Sequence, residues 1–260
     1  MNRTVNFYKR NLKEVFRDPV IYVFCIAFPV VMFLLFNLIN NLSNGNTPTF
    51  EIEALLPGIM VFSYSFIMLT IALCVSKDKQ TSFLKRLFSS PMKPLEYVLG
   101  YAIVGFIIGL LQTVVCIITA FIISLAKKVD FISFDKILLL IVSEIPILVL
   151  NVFLGILFGT ILNDKSSPAV CSVSISVSGI LGGCWMPLEI MGGFETFCRV
   201  LPFYPSVYIG RIITGAKNAF LATYAFDSVA VIGLITILAY TLLSVTLAIF
   251  AFKKNMVSDN

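Results

Sequence analysis

Residues 168–186 read PAVCSVSISVSGILGGCWM, and the fold class turns on them. From 172 to 178 small polar and β-branched side chains alternate with the period of a half-buried strand. Read as a helix, the same stretch places Ser172, Ser176, Gly179 and Gly183 on one small-residue face, at spacings of four, three and four. What surrounds the stretch decides between the two. A lone strand in hydrocarbon leaves every backbone N–H and C=O unpaired at a cost of several kcal/mol each, whereas a helix pairs them internally. If the flanking chain lies in a membrane, the stretch is a helix.

The flanking chain has that character. Its 260 residues are 58% hydrophobic and 13% charged, with mean hydropathy +0.97. A soluble domain is about 45–50% apolar and about 25% charged. Apolar runs cover 20–38, 54–76, 97–126, 137–162, 168–186 and 228–252. Each is long enough to cross a hydrocarbon core of about 30 Å as a helix. We therefore expect an all-α integral membrane protein, with six transmembrane helices in a single polytopic domain over 1–260. The first run begins only near Val20, after the mixed-charge YKRNLKEVFRDP, and has no small-x-small cleavage site, so the first span is expected to stay in the product.

Lysine and arginine divide unevenly between the two sides of such a chain. Arg3, Lys9, Arg10, Lys13 and Arg17 precede the first run, five more lie in 77–96, and Lys165, Lys253 and Lys254 fall on the same side. The other side holds Lys127, Lys128, Lys136, Arg199, Arg211 and Lys217. The positive-inside rule then places both termini in the cytoplasm.

Composition also excludes chemistry. The chain has no histidine, which removes imidazole bases, His metal ligands and His-based triads. The six cysteines at 25, 74, 116, 171, 184 and 198 show no zinc-type spacing, and the first four sit in apolar runs as small hydrophobes. Only Cys184 and Cys198 are placed to pair on an oxidising side. No GxxxxGK[ST] occurs, so no phosphate-cradling loop is expected in this chain. No catalytic residue and no metal site are assigned.

Residues 187–227, PLEIMGGFETFCRVLPFYPSVYIGRIITGAKNAFLATYAFD, are too apolar for a free loop and too interrupted to span. Gly192, Gly193, Pro202 and Pro205 break them into short helices, which predicts a re-entrant or interfacial hairpin with Glu195 and Arg199 at the interface. Its Phe and Tyr side chains are interfacial anchors or the lining of an exit for an apolar substrate. Gly105 and Gly109, Gly155 and Gly159, and Gly179 and Gly183 form GxxxG pairs, which imply close helix packing within the fold or at a dimer seam.

Glu144 lies inside the fourth run just before Pro146, where a carboxylate costs about 2–3 kcal/mol on insertion scales and needs a partner or water. It is a candidate polar point on a substrate path or a protonatable relay; the alternative is a structural carboxyl bonded to Gln112, Lys127 or Lys136. Gln112 and Asn151, also in apolar runs, are candidates for the same path or for interhelical hydrogen bonds.

The remaining oddity is DKQTSFLKRLFSSPMKPLEY at 78–97, a basic connection bounded by prolines. As a helix it puts Phe83, Leu84, Leu87 and Phe88 on one face and Ser82, Lys85, Arg86 and Ser89 largely on the other. Such a helix lies on the membrane surface or presses its apolar stripe into a groove on a cytoplasmic partner. A second amphipathic segment at 5–16, with Phe7, Tyr8, Leu12, Val15 and Phe16 among basic residues and Arg17 just beyond, reads as an interfacial elbow within 1–19.

Three stretches carry a family resemblance: KRNLKEVFRDPV, SKDKQTSFLKRLFSSPMKPLEYVLGYAI and GILGGCWMPLEIMGGFETFCRVLPFYPSVYIGRI, in that order. Together they resemble the ABC transmembrane type-2 exporter permeases over nearly the whole chain. Leu84, Arg86, Leu87 and Pro91 keep that family's loop pattern, while Ser82 and Phe83 replace its Gly-Thr and Lys77, Asp78 and Lys79 replace its leading glutamates. The resemblance implies that 77–96 carries a coupling helix, with Phe83, Leu84, Arg86, Leu87, Phe88 and Pro91 docking on a separate ATPase subunit that holds ATP and Mg. It implies an elbow helix through Phe7, Leu12, Phe16 and Arg17, a second permease copy or paralogue, and a place in the bacterial cytoplasmic membrane. No cofactor in this chain and no nucleic acid are expected. The cargo it implies is amphiphilic or apolar, a drug, antibiotic peptide or lipid, since compact loops and a single Trp resemble the drug-export branch more than polysaccharide or glycolipid exporters. An ion-coupled carrier would need several charges at mid-depth, and a membrane-embedded enzyme a cluster of acids or a histidine motif; Glu144 alone supplies neither.

Overall fold

In the computed structural model, which describes residues 2–43, 47–81 and 93–258, every regular element is helical apart from one isolated bridge between Lys217 and Thr223. Helix α1 is Asn2–Val15. Its apolar face is docked against protein: the Phe7 ring meets Tyr97 and Tyr101 edge-on at 5.5 and 5.1 Å, over Gly100, where a Cβ would run into that ring. The first span, α2, combines Pro19–Ile21, a π-wound stretch Tyr22–Ala27 and Phe28–Leu42. Pro29 has no N–H to give the Cys25 carbonyl and its ring crowds it, a conflict that the wider π turn just before it relieves.

Helix α3, Ile52–Gln80, is the axis of the molecule: every residue from 54 to 72 is buried. A helix apolar on all sides is one that needs cover on all sides. The cover comes from α4 (Pro94–Lys127), α5 (Phe134–Ile161), α6 (Ser167–Leu181) and α8 (Phe203–Thr214), with α9 (Ser228–Ser258) outside α5. Glycines let these helices approach. A Cβ on Gly155 or Gly159 would lie 2.6 Å from the Met68 or Ala72 carbonyl oxygen of α3, while Gly105 and Gly109 of α4 face Val152 and Leu148 of α5. Those two pairs therefore pack inside the chain.

Among the described residues, five helices are long and apolar enough to cross a membrane: Tyr22–Leu42, Ile52–Gln80, Pro94–Lys127, Phe134–Ile161 and Ser228–Asn255. The run at 168–186, expected as a full span, differs. It is helical, as the lipid argument requires, but α6 stops at Leu181 after 15 residues, about 22 Å of rise against a core of about 30 Å. The Gly-Gly pair explains the shortfall, since Gly183 takes φ +60° and turns the chain away. Gly183 is thus off the helical face that it was expected to share with Gly179, which faces Trp185 and Phe62.

The broken stretch becomes a short 3-10 turn Leu188–Met191, α7 (Gly193–Cys198) and α8. Cys184 and Cys198, whose pairing the sequence left open, are both buried free thiols, the second packed with Leu188 and Tyr204 in a small cluster of its own.

Candidate functional site

Proline creates the opening that α8 fills. Pro57, in the second turn of α3, cannot donate to the Glu53 carbonyl. The Thr214 hydroxyl of α8 donates to it instead at 2.6 Å, and Arg211 Nε donates to the next carbonyl, Ala54, at 3.2 Å. Arg211 is 1% exposed. Its Nη2 donates to the Gly183 carbonyl at 2.8 Å and its Nη1 to the Tyr224 hydroxyl at 3.4 Å, with the guanidinium 5.9 Å from that ring's centroid. One buried cation thus ties the start of α3, the turn after α6 and the segment before α9 to α8. Sequence reading had placed Arg211 only as one of the charges on the far side; a lone arginine inside YIGRIITG was the available signal.

Tyr224 in turn donates to Glu189, Tyr204 to Glu195 at 2.7 Å and Tyr208 to Asp227 at 3.2 Å, so three neighbouring tyrosines each hold one carboxylate. Burial, with the Asp227 carboxylate beside it, pushes the Tyr208 hydroxyl up to about 12. Glu195 also pairs with Arg199 at 2.9 Å, so both expected interface charges are bonded to each other.

Immediately before Arg211, Gly210 packs against Pro57 and brings α8 onto Glu144 of α5. Glu144 is 1% exposed. Its Oε2 accepts from the Ser206 hydroxyl of α8 at 2.8 Å, which replaces the expected Gln112, Lys127 or Lys136. Its Oε1 has no partner among the described residues. Gln112 is fully buried, and neither of its amide atoms has a partner among the described residues. The antiparallel register of α4 and α5, Gly105 on Val152 and Gly109 on Leu148, brings Gln112 and Thr113 level with Glu144. Thr113 donates to the Gly109 carbonyl, so it accepts from Tyr64 of α3 at 2.7 Å. Each buried orphan costs about 1–3 kcal/mol. Asn151, two turns away, donates to the Ile147 carbonyl of its own helix at 2.9 Å rather than across to a neighbour.

A third constellation lies at the N-terminal face. Asp78, 2% exposed in the last turn of α3, accepts from Arg10 Nη1 and Nη2 at 2.9 and 2.8 Å and from the Tyr101 hydroxyl at 2.7 Å. Burial alone would lower the Arg10 value, but the hydrogen bond and charge of Asp78 outweigh it and raise it. Next to it Lys79 Nζ donates to the Thr160 carbonyl at 2.8 Å, and Asn255 Nδ2 donates to the same oxygen at 2.7 Å. The end of α3 is thereby fastened to α1, α4, α5 and α9. The chain leaves it toward 82–92, so the six expected docking residues, Phe83, Leu84, Arg86, Leu87, Phe88 and Pro91, lie outside the described residues. Of the expected elbow residues, Phe7 is buried, Leu12 and Phe16 are half-buried and Arg17 is exposed.

Two comparisons bear on this arrangement. The model of a family described as ABC-2 type transporter matches residues 4–214, from α1 to the end of α8. No curated protein matches the chain.

Proposed function

Because the chain belongs to the ABC-2 type transporter family, we propose that it is the permease subunit of an ATP-driven exporter that moves an amphiphilic or apolar substrate. ATP and Mg are held by separate ATPase subunits, which dock on the coupling segment through Phe83, Leu84, Leu87 and Phe88. The chain crosses the cell membrane six times, α6 being a short fifth crossing completed by the turn at 182–187, and both termini are cytoplasmic. A second permease packs on α6, where Ser172, Val173, Ser176, Val177 and Ile180 line a shallow groove of about 400 Å³.

The observation that carries this reading is the set of unsatisfied polar atoms at Glu144 and Gln112, among helices otherwise packed tightly with apolar side chains. A purely structural bundle gains nothing from leaving them bare in a low dielectric. A permease that alternates between two packings has use for polar groups that water or cargo satisfies in one of them. The test is co-purification from native membranes, which should bring down a nucleotide-binding subunit, followed by reconstitution of the complex in vesicles. There Glu144→Gln should alter the transport rate or its pH profile while assembly stays normal. A fall in folding yield alone would make Glu144 a structural residue.

A further inference from the structure

A cavity of about 860 Å³ opens at the N-terminal face between the last turn of α1, the start of α2 and the end of α3, with Asp164 of the α5–α6 connection at its edge. That volume lies in the ordinary range of small-ligand sites, about 300–1,000 Å³. Its wall is divided. Val15, Pro19, Ile21, Leu73 and Cys74 supply an apolar floor, and charged side chains stand above it. By count the charges nearly cancel, with Arg10, Lys13, Arg17 and Lys77 against Glu14, Asp18 and Asp164.

Their engagement differs. Arg10 is held by Asp78 and by Glu14 at 2.7 Å, Asp18 has a partner, and Asp164 accepts from Ser76 at 3.4 Å. Lys77, 62% exposed, reaches Glu14 only at 3.8 Å. Lys13 and Arg17 are exposed and have no ion-pair partner among the described residues. The positive ends left over therefore stand beside an apolar floor, at the level where the first span begins and the headgroups of a bilayer lie. Beyond Ile21 the span continues with the exposed Tyr22 and Val23, an apolar surface on which a hydrocarbon chain can lie.

We infer that this cavity binds an anionic phospholipid, with its phosphate at Lys13 and Arg17 and its acyl chains over the Val15, Ile21 and Leu73 floor. A soluble anion would use the cations and leave the floor wet; a neutral lipid would use the floor and leave the cations unspent. Only a ligand with both parts answers both. The inference rests on the reading of the chain as membrane-embedded, not on transport or on any ATPase.

The full-length chain, purified in neutral detergent, is equilibrated with mixed micelles of phosphatidylcholine and phosphatidylglycerol, and the retained lipid is measured by mass spectrometry. Each cation near an anionic headgroup is worth a factor of about five. Wild type should enrich phosphatidylglycerol over its bulk share by at least about that factor, and K13Q/R17Q should bring the ratio back to bulk. Leu73→Trp, which fills the floor and keeps the charges, should do the same. Lys254→Gln, which removes an exposed charge elsewhere on the same face, should leave the enrichment intact. Equal enrichment in wild type and K13Q/R17Q overturns the inference. So does retention by Leu73→Trp, which would reduce the effect to surface charge, or complete displacement of the lipid by inorganic phosphate, which would make the ligand a free anion. Unchanged lipid in both variants together with loss of the co-purifying ATPase from K13Q/R17Q would assign the cavity to that partner instead.

Discussion

Arg211 and Asp78 show how much a single buried charge can fasten. Arg211→Met keeps much of the volume but removes the guanidinium's hydrogen bonds to the Ala54 and Gly183 carbonyls and the Tyr224 hydroxyl. At about 1–3 kcal/mol for each bared group, the cost should be about 2–5 kcal/mol. Asp78→Asn keeps the shape and removes the charge; since Arg10 is about a third exposed and retains Glu14, a smaller loss of about 1–2 kcal/mol is expected. Lys77→Ala, which touches only the long exposed contact to Glu14, should stay within about 0.5 kcal/mol of wild type. Thermal unfolding followed with a thiol-reactive dye orders the three, because five of the six cysteines are buried and become reactive only on opening. Equal shifts for all three would remove the claim that burial sets the ranking. Glu144 was legible from sequence as a carboxylate in an apolar run, but its partner was not: Ser206 lies 62 residues on, in a segment with no periodic signal, and only the α8 packing brings it there. The burial of Arg211 was not legible for the same reason, since a positive residue in a broken segment gives no sign of it until the helix carrying it is seen to be tucked against α3.

At the scale of the element, hydrophobic length read the long helices well because a membrane core of about 30 Å admits little else. It read α6 poorly. Cys184, Trp185 and Met186 extend the apolar run past Gly182 and Gly183, so composition continues where the backbone turns. The GxxxG pairs were legible as sites of close approach, but spacing alone could not say against which helix; Gly155 and Gly159 meet α3, Gly105 and Gly109 meet α5. The proposed coupling segment is where an element-level prediction is sharpest. If the segment docks as proposed, Leu87→Asp puts an unpaired charge into an ATPase groove at a cost of several kcal/mol, so the ATPase should dissociate or hydrolyse without transport while the permease still inserts. Lys85→Ala should be mild and salt-sensitive, because exposed charges chiefly steer the encounter. Pull-down of the ATPase separates the cases, and full retention by Leu87→Asp would return the segment to the membrane surface.

For the whole molecule the charge asymmetry makes a topological prediction. In a chain freed of its native cysteines, Lys217→Cys should react with a membrane-impermeant maleimide in intact cells and Lys85→Cys only after permeabilisation. Labelling of both from one side would sink the six-crossing arrangement. Within that arrangement α3 has a peculiar history. It is made early, yet α4, α5, α6 and α8, which cover it, are all synthesised after it. Until they arrive its surroundings are acyl chains, the insertion machinery and α2, whose Phe24 and Phe28 can cover only Phe62 and Phe66. Its all-round apolar sequence thus serves two masters in turn, the lipid that must first accept it and the protein that later encloses it. Ser63, Tyr64 and Ser65 are polar guests that the newborn helix carries through that wait. A cell slow to complete the later helices would hold a nascent permease whose centre still faces fat.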